Sequence, residues 1–402
     1  MSAVSGFLST LNADPNDLVG EWQEGVLVRN AKGFNTGATL MALMSKLTVE
    51  NADDAVFNWW ERPPKTLNFY ANAGYNSAVT TIGFVDVNTN ALWPLLDTGA
   101  VLLSSVTNEM VQVTATPSNA NITVTRGFAG TTAAAITQGD LWTYITFGKN
   151  ESSTAANSTY ETPSSYQNNI QIFERVITLS NAFKAGKVRT DLDGPLWERR
   201  AYMFEALIND IELAYFFGVK ATIAGTNGNT FYTGGIQNAL SAAGLSANIL
   251  NGNGVAGVTL DAFKTWLQSF MVYGSDVKLA FCGPAPYAAI SNYANSGANG
   301  FRIEGTEHVF GMNVTVIVTP FGELNLVMHP LFTNAIAYNN QMVVVDLKLI
   351  VQKSMNPIYL ETNIQTPGAT YYQEHFVAML GIKQKFPAAF GYAYNLTTIN
   401  AA

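Results

Sequence analysis

The stretch DGPLWERRAYMFEALINDIELAYFFG, Asp193 to Gly218, is the one long, cleanly capped helix signal in the chain. Asp193 can accept a backbone N–H at the N-cap, and Pro195 stands in the first turn, where its missing N–H costs nothing. Leu196, Met203, Phe204, Leu207, Ile211, Ala214 and Tyr215 recur at three- and four-residue spacings and so share one stripe. Glu198, Arg199, Glu205, Asn209 and Glu212 fall on other faces, and Gly218 reads as a left-handed stop. Such a helix is about 36 Å long, the length of a small domain. The sequence on both sides reads as material hung from a strut.

Upstream, residues 1–37 are polar and Gly-rich with no sustained period, and read as an extended arm. Thr39–Leu47 has the spacing of a brief helix, and Val56–Glu61 (VFNWWE) reads as a strand stopped by Pro63 and Pro64. From Thr66 to Gly148 short β runs alternate with turn residues, as in a small antiparallel barrel or sandwich. Glu109, Val111 and Val113 alternate with Met110, Gln112 and Thr114, giving that strand one buried face. Residues 149–168 are a polar, low-complexity connection, and QIFERVITLS, Gln171–Ser180, returns as a strand just before the strut. The whole excursion is a long β arm.

Downstream, the glycine-rich stretches 225–230 and 244–257 read as loops, with partial helix between Thr233 and Ala243. Leu260–Tyr273 has helical spacing, Lys278–Cys282 is a strand, and Pro284 opens another helix. NVTVIVT, PFGE and LNLVMH make a hairpin, and AIAYN, MVVVDLKLI, IYLETNIQ and QEHFVAMLGIKQKF follow as strands. Helices and antiparallel strands in this order read as α+β.

Charged residues make up only 12% of the 402, about half the roughly 25% of an average soluble protein. A surface poor in charge desolvates cheaply, as suits a subunit covered by copies of itself; composition alone fits a β-rich protein with uncharged polar loops equally well. The net charge of −8 disfavours non-specific attraction to nucleic acid or anionic lipid. Cys282 is alone, which excludes an internal disulfide and a multi-cysteine zinc site and suits reducing cytosol. No signal peptide and no bilayer-length apolar run is legible, so the five glycosylation-type tripeptides read as chance.

His308, His329 and His375 are isolated, without metal-ligand spacing, and each reads as a structural imidazole. No nucleophile elbow is present, and the glycine clusters lack a phosphate-loop Lys-Ser/Thr. Asp53 and Asp54 are adjacent, point apart and read as a solvated turn; Trp59 and Trp60 read as one core ring and one interface ring. No active site assembles, and no cofactor or metal is expected.

The order of parts, together with two stretches, resembles the major capsid proteins of tailed bacteriophages with the Hong Kong 97-type shell fold. ITVTRGFAGTTAAAITQGDLW, Ile122–Trp142, is similar to the small β module inserted in the extended loop of many such shells. QIFERVITLSNAF (171–183), leading to NDIELAYFFG (209–218), resembles the return of that loop into the spine helix. FGELNLVMH and QEHFVAMLGIKQKFPAAFGY resemble the closing strands. The resemblance implies an N-terminal arm (1–37), the start of a peripheral domain (38–65) and an extended loop with its β module (66–170). A peripheral domain with the spine helix 193–218 (171–224), an axial domain (225–345) and return strands (346–402) complete it.

It also implies a non-enzymatic virion protein, assembled in the host bacterial cytoplasm, whose hexamers and pentamers tile an icosahedral shell around double-stranded DNA. Scaffold, portal and decoration proteins are the implied partners, and the DNA is held without sequence-specific contacts. The 66–170 arm is expected to lie across one neighbour and residues 1–37 to clasp another. Trp22, Trp59, Trp60, Arg126, Phe128, Trp142, Trp197 and Arg199 are the candidate interface residues, with Arg126 read as a local or intersubunit ion pair against the alternative of a solvated turn. Three other readings compete: the shell of a cellular nanocompartment with the same fold, an extracellular β-rich carbohydrate-active enzyme, and a phage tail or receptor-binding protein, in which a central spine helix is unexpected.

Overall fold

Two rows of inward-facing side chains decide how the long helix is used. The computed structural model describes residues 48–62, 67–86, 96–118, 121–149, 151, 163–185, 195–226, 228–295, 302–309, 312–334 and 336–400. The helix runs Pro195–Phe217. Leu207, Ile211 and Tyr215 turn one face onto a four-stranded sheet, where they meet Phe173, Ala378, Leu380 and Ile382. Phe216 points the other way, edge-on to Phe281 and Phe332. The helix is therefore buried on two sides along its second half, and the expectation of a single apolar stripe is too narrow. Glu212, which spacing places on a face other than that stripe, is fully buried as well.

The four-stranded sheet has the order Val49–Asn51, Ile350–Thr362, Tyr371–Gln384, Gln171–Ser180. Its helix-facing residues Phe173, Ile177 and Leu179 are buried, while Ile172 and Val176 on the opposite face are exposed, the period of two expected of a half-covered sheet. Beyond the helix lies a seven-stranded mixed sheet in the order 249–254, 391–396, 342–345, 277–282, 322–328, 312–319, 302–309. Its central runs 279–282 and Met342–Val345 are buried on both faces. Leu279, Phe281, Val343 and Val345 join the helix-side core; Ala280, Cys282, Met342 and Val344 pack against helices Leu260–Met271 and Pro284–Asn295. Continuous apolar runs are what a doubly covered strand requires.

Residues 60–166 form a second compact unit. Six strands, Asn68–Ala71, Thr81–Asp86, Ala100–Ser104, Met110–Ser118, Asn121–Thr125 and Leu141–Phe147, close into an antiparallel barrel. Phe69, Ile82, Phe84, Leu102, Val111, Val113, Ile122, Val124 and Trp142 fill it. Closure leaves no free sheet edge. The chain crosses between the units on strands Val56–Glu61 and Ser164–Asn169, which pair with each other.

Several expectations are corrected. Gly218 does not end the helix with a left-handed residue. A Cβ there would lie 2.3 Å from the Ala214 carbonyl oxygen and 2.6 Å from that of Thr233, so close backbone approach requires the glycine. Residues 225–230, read as a loop, belong to the hairpin Ala221–Gly225 and Gly228–Tyr232. Within 244–257 the strand Ile249–Gly254 pairs in parallel with Gly391–Leu396. Part of the polar connection, Ser164–Asn169, is a strand. In all three the ladder is made by backbone groups, which glycine and asparagine supply as well as any residue. The expected helix at 39–47, the arm 1–37 and the Asp193 cap lie outside the described residues.

Candidate assembly surfaces

The Arg-Gly motif of the barrel is a buried anchor. Glu109 shares the inward parity of Val111 and Val113 and is fully buried. Arg126 meets it as a bidentate pair, Nε to Oε1 at 2.7 Å and Nη2 to Oε2 at 2.8 Å. The same guanidinium donates to the carbonyls of Asn76 at 3.1 Å, Val79 at 3.2 Å and Ala134. The Gly127 and Ala134 amides donate back to Glu109 at 3.2 and 3.0 Å. Burial alone would raise the Glu109 carboxyl, but Arg126 and the two amides outweigh it and hold the group below the usual carboxylate range. Gly127 takes φ 64°, and a side chain there would strike the Thr131 carbonyl. Of the three readings of Arg126, the local pair is the one formed.

The other candidates separate by exposure. Trp142 is fully buried in the barrel, edge-on to Phe84 at 5.7 Å. It belongs to the barrel's own core, and its inclusion as an interface residue is corrected. Trp59 is buried with Ala52, Phe57 and Ile170, whereas Trp60, one residue on and pointing the opposite way, is 70% exposed. Phe128 is half-buried on the turn after Gly127, and Arg199 is half-buried on the long helix. Trp197, at 65%, and Tyr202, at 64%, stand exposed on the first turns of that helix. Trp22 lies outside the described residues. Tyr202, Ile172, Val255 and Ile336 are further exposed apolar residues; nothing in a single sequence separates them from core positions.

Buried polar pairs tie the layers together. Arg200 reaches from the long helix to the buried Glu374 at 2.7 and 2.6 Å, and the Tyr372 hydroxyl donates to the same carboxylate at 2.8 Å. Lys278, fully buried, donates to the Tyr273 and Ala389 carbonyls at 2.8 and 3.0 Å. His329 lies among Phe216, Phe281 and Phe332. Its Nδ1 accepts the Leu331 amide at 3.2 Å, and Nε2 lies 3.5 Å from Glu212. Burial pushes this imidazole down to about 3, so it is neutral and its contact with Glu212 is dipolar. Asp53 and Asp54 are exposed, with Asp54 accepting the Ala55 amide at 2.6 Å. Among the described residues no cluster of His, Cys, Asp and Glu is arranged to hold a metal, and no helix is long and apolar enough to cross a membrane.

The SU10 major capsid protein family profile matches residues 34–397. The chain belongs to the SU10 major capsid protein family. This capsid protein is thus a structural phage protein rather than an enzyme, and its α+β architecture is that of the Hong Kong 97-type shell. It is similar to the cyanophage A-1(L) capsid asymmetric unit at 10% identity and TM-score 0.51, over 97% of this chain and 100% of that one. A Microbacterium phage Oxtober96 chain matches at 9% identity and TM-score 0.45, covering 95% and 96%. The holo-SrpI encapsulin complex of Synechococcus elongatus PCC 7942 matches at 9% and 0.39, covering 60% and 78%. No curated protein matches in sequence.

Proposed function

We propose that this capsid protein self-assembles as hexamers and pentamers into an icosahedral shell around double-stranded DNA in the cytoplasm of a bacterial host. The observation that carries the reading is the pairing of sparse charge with large exposed apolar side chains, Trp60 and Trp197 foremost. Permanent interfaces need aromatic anchors and tolerate few central charges. Residues 1–37 serve as the clasping arm, 38–65 open the peripheral domain, and 66–170 form the extended loop laid across a neighbour. Residues 171–224 carry the spine, 225–345 form the axial domain, and 346–402 return beside the spine. Trp60, Phe128, Trp197 and Arg199 take part in subunit contacts, as does Trp22 on the arm. Scaffold, portal and decoration proteins bind the same lattice. A net charge of −8 suits an interior that encloses phosphate without holding it.

Size-exclusion chromatography with electron microscopy of the expressed chain tests this. Shells or ring-shaped capsomers are expected; a stable monomer at high concentration would overturn it. A chain lacking residues 1–37 should assemble poorly or into fragile shells, and normal shells from it would remove the clasp.

A further inference from the structure

His375 sits in an arrangement that the assembly reading does not use. It lies on strand Tyr371–Gln384, opposite Val176 of Gln171–Ser180 on one side and Glu361 of Ile350–Thr362 on the other. Its Nδ1 is 2.5 Å from Oε1 of Glu174, and its Nε2 is 3.0 Å from Oε2 of Glu361. One ring thus bridges two carboxylates carried by the two strands that flank its own. The face is the outer one, since Phe173 and Ile177 turn toward the long helix and Val176 is exposed away from it.

A neutral imidazole has one N–H and one lone pair, so it can satisfy only one carboxylate and turns its lone pair on the other. Both contacts are hydrogen bonds only when the ring carries two protons. Glu174 and Glu361 are the charged groups facing it from the neighbouring strands. On its own strand, the flanking residues of that face are Gln373 and Val377, and Tyr359 stands opposite Val377. Arg175 is on the other face, paired with Asp210 of the long helix. Without the proton, the ring no longer places a positive charge between the two carboxylates.

We propose that His375 is a proton-operated clasp that holds strands Gln171–Ser180 and Ile350–Thr362 to strand Tyr371–Gln384 and loosens as the ring deprotonates, one hydrogen bond being lost and the other losing its charge assistance. The His375 side chain is 17% exposed and its partners 48% and 54%, so the site exchanges protons with bulk water, unlike the sealed His329. Burial works against the charged ring, but the two glutamates outweigh it and hold the imidazole above its ordinary range. A raised folded value fixes the sign. The clasp is fully closed below about pH 6.5, the unfolded imidazole value, and opens as pH rises through the higher folded one.

The chain has three histidines, so the ring-proton signals of the full-length protein can be followed by NMR and assigned with His375→Gln. The His375 midpoint is expected above about 6.5, falling by about half a pH unit or more in Glu174→Gln and in Glu361→Gln. Hydrogen exchange, corrected for the intrinsic pH dependence, should show the amides of 171–180 and 355–376 losing protection through the same midpoint in the wild type. That loss should vanish in His375→Gln. A midpoint at or below the ordinary value overturns the proposal, as does one that neither glutamate variant moves. Equal loss of protection in His375→Gln would do the same. Should His375→Gln fail to fold, the two glutamate variants decide alone.

Discussion

Glu109 and Arg126 show how one pair can organise a small barrel. Both side chains are essentially sealed, and the guanidinium reaches carbonyls at three separate points of the loops, Asn76, Val79 and Ala134. Removing one partner of such a pair strands the other as a buried charge, which costs about 3–5 kcal/mol. Arg126→Met should therefore destabilise the 60–166 unit by about that amount, read as an earlier loss of hydrogen-exchange protection in the barrel strands. Exchanging both residues for apolar ones should recover much of the loss, and a single variant of unchanged stability would show that solvent reaches the pair. His329 gives the second prediction at this scale. Its folded value of about 3 lies below the ordinary imidazole value, so the unfolded chain binds the extra proton between the two. Stability is complete above about pH 6.5 and falls as pH drops toward 3, at up to about 1.4 kcal/mol per pH unit. Denaturant unfolding between about pH 6.5 and 5, above the range where carboxylates contribute, should show this slope. His329→Gln should flatten it, whatever it does to absolute stability.

At the scale of elements, the glycine ending the long helix is a packing requirement, not a conformational one. Gly218→Ala puts a methyl group into two carbonyl oxygens, Ala214 of its own helix and Thr233 of the next segment. Overpacking of that kind costs about 1–3 kcal/mol; thermal unfolding at neutral pH checks it, and a neutral substitution would mean that the 233–235 segment can retreat. The same region shows what sequence could and could not carry. Strands Val56–Glu61 and Gln171–Ser180 were legible to the residue, because their alternation and flanking breakers agree with their burial. The barrel strands were legible as short β runs, yet the sequence left barrel and sandwich open, since closure depends on which edges meet. Hairpin 221–232 and strand 249–254 escaped, because their Gly and Asn side chains say nothing about backbone pairing. The burial of Glu212, off the helix's apolar stripe, escaped for a different reason. A helix buried on two faces has no polar side, so periodicity reports only the wider stripe.

At the scale of the whole molecule, Trp59 and Trp60 make a matched pair for separating folding from assembly. They are adjacent on one strand and point to opposite faces, one into the Ala52, Phe57 and Ile170 cluster and the other outward. Trp59→Ala removes a buried ring and should cost the subunit about 3–5 kcal/mol. Trp60→Ser and Trp197→Ser remove only exposed rings, so the isolated subunit should change by no more than about 0.5 kcal/mol. If these rings anchor subunit contacts, each should still cost about 2 kcal/mol or more per contact, because aromatic anchors carry a disproportionate share of interface energy. A lattice repeats each contact by symmetry, so a loss that is modest once is multiplied around every ring of subunits. The expected outcome for Trp60→Ser and Trp197→Ser is a normally folded subunit whose threshold concentration for assembly, read by light scattering, rises at least about tenfold. Scattering curves superposable on the wild type would place the assembly contacts elsewhere on the surface, with the exposed Ile172, Val255 and Ile336 the next positions to change.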